Sequence, residues 1–427
     1  MSSANCRQSI SAQAAAVREG SVTAQTLAWQ VREDIVRREP SIRAWVELSN
    51  DLDAQAYRID SGHLDGPLAG VSLGVKDLVD VAGLPTLAGS TVTSTHPQPD
   101  DAACVARFRA LGAIVQGKTV TTEFGYFAPG PTRNPHAPDH TPGGSSSGSA
   151  AAVGAGVVPV ALGTQTAGSL TRPASFCGAA GLVLSQGTAD LTGITGLSDS
   201  LDSLGLLARS TEDLRYVYAA FAGLGDITGV ESPRKARLWT GSELGVLDPS
   251  MQKLLALLPT VLNGIGVKVE EFESDDHVRT LADDHATVMS YEAAGTLHET
   301  FERHGADLST PLRELVRDGR SVTADSHAAA LVRRDRSRRM LSEILGDDTV
   351  IIGPAALGPA PQGLDATGSP ILSRPWQLLG APVIVVPGAR TPGGLPLGLQ
   401  IIAPTGHEAG LFDVAVRLEP ALRAISS

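Results

Sequence analysis

The apolar positions along this chain change period several times. Residues 8–60 repeat them at three- and four-residue intervals, as in "TAQTLAWQVREDIVRRE", which predicts two or three amphipathic helices. From "GPLAGVSLGVKDLVDVAGLPTLAG" (66–89) the pattern becomes apolar and β-branched between glycines, the mark of strands. "DAACVARFRALG" predicts a helix capped by Asp101 and stopped at Gly112. "AIVQGKTVTTEF" returns to strand, "VVPVALGTQT" predicts a buried strand, and helix–strand alternation continues to about residue 225. Residues 240–345 carry more charge, fewer glycines and long helical patterns. "DTVIIGPAALGPAPQG" and "APVIVVPGARTPGGLPLGLQIIAP" then predict two or three buried strands, and "GHEAGLFDVAVRLEPALRAI" the last helix. Strands apolar on both faces that alternate with helices predict an α/β layered fold, with a central mixed, largely parallel sheet flanked by helices on both faces. No repeat or linker divides the chain. Residues 1–427 are expected to form one domain: N-terminal helices (1–60), a core (61–225), a helical insertion (240–345), and C-terminal strands with a helix (346–427).

One stretch fits neither period. "TPGGSSSGSAAAVGAGVVPVALGTQTAGSLTRPASFCG" (141–178) is rich in Gly, Ser, Ala and Thr, and Arg172 is its only charge. Such composition usually marks a flexible linker. This stretch encloses and precedes apolar runs, so it predicts a constrained backbone in which only small residues fit. The rest is ordinary globular sequence: 427 residues, 42% hydrophobic and 19% charged, are enough for a large core.

The net charge of −12 argues against nucleic acid or an anionic membrane surface as a partner. The densest basic run, "RRDRSRR" (333–339), reads as a solvated helix face. Cys6, Cys104 and Cys177 form neither a CxxC pair nor a disulfide framework. The N-terminus lacks the apolar core of a signal peptide, and the longest apolar run (150–163) contains Pro159 and glycines and is shorter than a membrane span. A cytoplasmic protein is expected.

Several short motifs fail on context. "GAIVQGKT" (112–119) has phosphate-loop spacing, but its middle residues and its continuation are strand-like, where a loop and a helix are required. "GSSSG" (144–148) has the spacing of a nucleophile elbow around Ser146, but "HAPDHTPG" before it cannot be the strand an elbow needs. "SPRK" (232–235) lacks the companion elements of an SxxK site. In "HAPDH" (136–140), Pro138 prevents the helix that would align both histidines on a metal. "DDHVRTLADDH" (275–285) reads as an exposed acidic helix rather than a metal site.

What survives is a collinear set: "GPLAGVSLGVKDLVDVAGLPTLAGS", "GKTVTTEFG", "RNP", "GGSSSGSAAAVGAG", "GTQTAGSLTRPASFCGAAGL", "SLDSLGLLARSTEDL" and "WQLLGAPVIVVPG…GLPLGLQIIAP". Together they resemble the amidase signature family of serine amide hydrolases over about residues 65–225 and 350–420. The resemblance implies Lys76 as general base, Ser145 as a bridging serine preceded by a cis peptide, and Ser169 as nucleophile. It further implies an oxyanion hole built from the backbone N–H groups of Thr166, Ala167, Gly168 and Ser169. The chemistry is consistent with these residue types. An amide is a poor electrophile, a serine hydroxyl needs an adjacent base, and a lysine can be that base once burial has made it neutral.

The sequence also departs from the family pattern. Ala167 replaces a common glycine, which would disfavour a positive φ there. Val183 and Leu184 stand where the family usually has a Lys-Pro pair, and Ser369 stands where an acidic residue is frequent. Arg172, three residues after Ser169, has two open readings: it grips a substrate carboxylate, or it satisfies backbone carbonyls or a protein acid. The first would make the substrate a small carboxylate-bearing amide, such as a half-amide or a carboxylated urea. Two alternatives remain at this point: an amidotransferase-type glutaminase subunit working with a partner, and a catalytically idle binding protein. No metal or organic cofactor is implied. The partner implied is a small-molecule amide, with homodimerisation left open.

Overall fold

A computed structural model describes residues 8–229, 233–273 and 275–425. Cys6, and Ser232 of "SPRK", lie outside them. Eleven strands form one sheet: β1 (Trp45–Leu48), β2 (Ser72–Lys76), β3 (Ile114–Thr119), β4 (Val160–Gln165), β5 (Ala180–Val183), β6 (Ser203–Ala208), β7 (Lys235–Leu238), β8 (Lys268–Glu271), β9 (Thr349–Pro354), β10 (Val383–Arg390) and β11 (Pro396–Ile402). Their spatial order is β1-β3-β2-β4-β6-β5-β10-β11-β9-β7-β8. Helices flank the sheet. β2, β3, β4, β5, β6, β9 and β11 are buried at every residue, because side chains on both faces are covered.

The sheet is mixed, and less parallel than the burial pattern suggested. β2 runs parallel to β3 and β4, and β7 runs parallel to β8 and β9. The other neighbouring pairs are antiparallel. A strand covered on both faces is apolar throughout whatever its direction, so burial does not report orientation. Two edge strands have no counterpart in the apolar pattern. β1 (WVEL) and β8 (KVEE) are short, charged and half-exposed, as edges often are. β8 lies within the stretch read as a helical insertion. The helices there are Pro249–Gly264, Asp275–Thr296, His298–His304, Thr310–Ser321 and Ala324–Leu345. Asp101 does not cap the helix Ala103–Ala110. It accepts from the N–H of Ala82 at 2.8 Å and pairs with Arg109 at 2.9 Å.

Residues 141–178 are not slack. They form the helix Ser147–Gly154, then β4, then the helix Thr171–Cys177, and nearly every residue is buried. A Cβ at Gly148 would stand 2.3 Å from the carbonyl oxygen of Ala44 and 2.4 Å from the amide nitrogen of Val120. The first helix thus rests directly on neighbouring backbone, an approach that only glycine permits. No helix among the described residues is long and apolar enough to cross a membrane.

Candidate active site

β2 and β4 are parallel neighbours, with Val75 opposite Leu162. Their C-terminal ends therefore lie side by side, where open α/β sheets commonly place ligands. Lys76 ends β2 and is fully buried. Its Nζ lies 2.7 Å from Ser145 Oγ, 2.8 Å from Thr164 Oγ1 and 3.4 Å from the Thr164 carbonyl. Among the described residues no carboxylate touches it. Burial pushes its pKa from 10.5 to about 7, opposed by the charge of Asp202. At 2.7 Å an ammonium donates to Oγ, and a neutral amine accepts the proton of Oγ.

The peptide Gly144–Ser145 is cis. Gly143 has φ +81°, and a Cβ at Gly144 would stand 2.8 Å from Cγ2 of Thr367. One glycine of the pair thus supplies a left-handed turn and the other supplies space. The N–H of Ser146 donates to the carbonyl of Ser169 at 3.0 Å, which ties the two serine turns together. Ser145 and Ser169 line one small cavity with Thr166, Ala167, Gly168, Arg172 and Met289. It has about 20 Å³ of free space, roughly room for one water. No hydrogen bond joins the two hydroxyls among the described residues. A second cavity of about 440 Å³ reaches Ser145 and Thr166 and is lined also by Thr164 and Asp202. A larger cavity, about 630 Å³ beside Arg107 and Tyr216, shares no residue with either.

Among the described residues, the N–H groups of Thr166, Ala167, Gly168 and Ser169 have no backbone or side-chain acceptor. Four consecutive free donors just before a helix make a site suited to a developing oxyanion. Ala167 carries no backbone penalty, since φ at 167 and at 168 lies outside the left-handed region. Glycine is needed at 168 for space: a Cβ there would come 2.9 Å from Cβ of Pro370. The amide of Gln165 shapes the turn, as its Oε1 accepts from the N–H groups of Leu170 and Thr171, both at 3.0 Å. Its Nε2 donates to Oε1 of Gln377, in the helix Arg374–Leu378, at 2.9 Å. Gln377 in turn donates to the carbonyls of Gln165 and Leu201.

Arg172 is buried and has no acidic partner among the described residues. Its Nη2 donates to the Gly144 carbonyl and, at 3.2 Å, to Thr367 Oγ1, while Nε and Nη1 are buried without an acceptor. Burial, then the charge of Arg374, lowers its pKa to about 9, so it stays charged at neutral pH. It holds backbone, as one reading required, and keeps two spare donors, as the other required. Val183 and Leu184 are simply buried, and Ser369 Oγ accepts from the N–H of Ile371 at 3.3 Å.

The sequence missed three neighbours of the site. Thr164, which meets Lys76, follows from the register of β2 against β4. Asp202 accepts from Thr166 Oγ1 at 2.5 Å and from the N–H groups of Leu197 and Ser198 at 2.7 and 3.1 Å. Burial raises its pKa. His285 is the third, and it corrects the reading of 275–285 as an exposed helix: it is fully buried, with Nε2 2.8 Å from the Thr166 carbonyl. The discarded motifs fall into place as well. Lys118 of "GAIVQGKT" is a core residue of β3 paired with Asp77, and Ser146 Oγ donates to the Thr164 carbonyl at 3.2 Å. His136 and His140 face different partners, the Cys177 carbonyl and Asp139. "RRDRSRR" is only partly solvated, since Arg333 pairs with Asp284 and Arg338 bonds the Leu379 carbonyl at 2.7 Å.

The amidase family model matches residues 32–412. A glutamyl-tRNA(Gln) amidotransferase subunit from Thermus thermophilus is 31% identical over 455 residues, covering 95% of this chain and 96% of that protein. A crystal structure of an amidase superposes with a TM-score of 0.87 at 27% identity, over 97% of this chain and 99% of that one. The peptide amidase of Stenotrophomonas maltophilia superposes with a TM-score of 0.81 at 26% identity, over 98% and 97%. Matches of this extent, on a fold that gathers a buried lysine and two serines at the strand ends, admit one conclusion: the chain belongs to the amidase family of amide C–N hydrolases.

Proposed function

We propose that the protein hydrolyses a small amide through an acyl-enzyme on Ser169, with Ser145 as relay and Lys76 as base. The observation that carries this reading is Lys76, which is fully buried, touches no acid among the described residues and sits 2.7 Å from the hydroxyl of a serine that shares a cavity with Ser169. The neutral amine takes the Ser145 proton as Ser145 takes that of Ser169, and Ser169 Oγ bonds to the amide carbon. The resulting oxyanion is held by the free N–H groups of residues 166–169. The protons return by the same path to the amide nitrogen, the C–N bond breaks, and ammonia or an amine leaves. Water then repeats the sequence to release the acid.

Arg172 supports a substrate that carries a carboxylate, since a buried guanidinium with two spare donors is suited to an anion. The likeness to the Thermus protein favours a second reading, in which glutamine is the amide and a partner takes the ammonia. Ammonia release from half-amides, carboxylated ureas and glutamine by the isolated chain separates the two. The catalytic reading is tested with a fluorophosphonate. Wild type should be labelled on Ser169 and Ser169→Ala should not; labelling that persists in the alanine variant would sink it.

A further inference from the structure

The helix Asp275–Thr296 lies outside the motifs that carry the family resemblance, yet one stripe of it faces the site. His285, Met289, Glu292 and Thr296 follow at helical spacing. Met289 lines the cavity of Ser169, and Thr296 lines the cavity beyond Ser145. Glu292 accepts from Ser198 Oγ at 2.6 Å and from the Ser200 N–H at 2.9 Å, in the loop leading to Asp202. His285 is fully buried, and its Nε2 meets the Thr166 carbonyl at 2.8 Å. To donate there, Nε2 carries the proton and Nδ1 is bare, and Nδ1 has no partner among the described residues. Burial, then the charge of Arg374, lowers the pKa to about 3, which keeps the ring neutral.

The Thr166 carbonyl and the Ala167 N–H belong to one peptide plane and point in opposite directions. Fixing the carbonyl fixes the N–H. Thr166 is held a second time by its hydroxyl, which donates to Asp202. We propose that His285 is a positioning residue: by holding the Thr166 carbonyl it keeps the Ala167 N–H turned toward the oxyanion of the Ser169 reaction. The inference rests on the catalytic reading above. It gives the stretch 240–345 a part in the reaction, and alanine at 167 acts in the same sense. A flipped peptide would require a positive φ that alanine disfavours, and the histidine holds the unflipped form.

The test is the rate of fluorophosphonate labelling of the full chain in His285→Phe, His285→Asn and His285→Gln. Gln can bring an N–H to the place of Nε2; Asn is too short and Phe has no donor. Phe and Asn should lower the limiting labelling rate about 100-fold with little change in the inhibitor concentration for half-saturation, and Gln should stay within about tenfold of wild type. If Phe fails to fold, the Asn–Gln pair decides. A folded Phe or Asn variant labelled within about threefold of wild type would overturn the inference, as would Gln no faster than Asn, or loss of folding in all three. Failure of the catalytic reading is distinguishable, because it shows as labelling that survives Ser169→Ala.

Discussion

Two lysines sit on neighbouring strands, both without solvent exposure, and they have opposite surroundings. Lys118 on β3 pairs with Asp77 at 3.0 Å and donates to Thr86 Oγ1 and the Pro85 carbonyl at 2.9 and 3.1 Å. Lys76 on β2 meets two hydroxyls and a carbonyl. Burial lowers both pKa values, but only Lys118 has a charge in contact to oppose it among the described residues. A buried ammonium beside a carboxylate is a structural ion pair. A buried amine without one can lose its proton near neutral pH and take another from a serine. The two sites share one chemistry of burial and differ in a single contact.

The largest expected effect breaks the Lys76 side. Lys76→Met should lower kcat by about 10⁴-fold or more, read as ammonia release or labelling rate. The same variant should be more stable. With a folded pKa of about 7 against 10.5, the unfolded chain binds a proton that the folded chain lacks across that window. The burial cost is therefore full at pH 7 and below, and it fades as pH rises toward 10.5. Wild type should melt a few degrees below Lys76→Met at about pH 7, with the gap closing near pH 10. A variant that melts lower at neutral pH would contradict the reading of Lys76 as an uncompensated amine.

Lys118→Met breaks the other side, leaving Asp77 buried and unpaired. It should cost about 3–5 kcal/mol in chemical denaturation, while the folded fraction keeps near-native labelling of Ser169. Arg172 is a third buried cation and, like Lys76 but unlike Lys118, has no acid in contact among the described residues. Arg172→Ala should raise KM about tenfold or more for carboxylated amides and much less for neutral ones. Equal losses on both would confine Arg172 to its protein partners, the Gly144 carbonyl and Thr367. The smallest effect sharpens the electrostatics. Activity should rise with pH through about 7 as Lys76 becomes neutral. Asp202→Asn removes the charge that holds the Lys76 proton and should move that limb to lower pH, read from the pH dependence of labelling.

The central strands were legible because an apolar run bounded by glycine, as in "VSLGVK", has few other uses. β1 and β8 were not, since an exposed four-residue edge carries no periodic signal. Strand direction was also hidden, because it is set by connections rather than composition. Within the site, Lys76, Ser145 and Ser169 stand in contiguous motifs and could be named. Thr164 needed the strand register, and Asp202 was an unremarked letter of "SLDSLG". His285 was hidden by the aspartates around it in "LADDH", where only a helical stripe distinguishes the buried face. The backbone doubt over Ala167 came from its residue type and was removed by a φ that sequence does not report.

The Gln165–Gln377 amide pair joins the turn before Ser169 to a helix 212 residues further on. Contacts so distant in sequence form late, since the intervening chain must first be closed into a loop. A nascent chain on the ribosome therefore exposes its serine long before it can shape the donors around it. Hydrolytic competence should arrive with the final stretch of synthesis, and polypeptides truncated before residue 377 should be inert, since they lack the Gln377 amide and also β10 and β11, which join the two parts of the sheet.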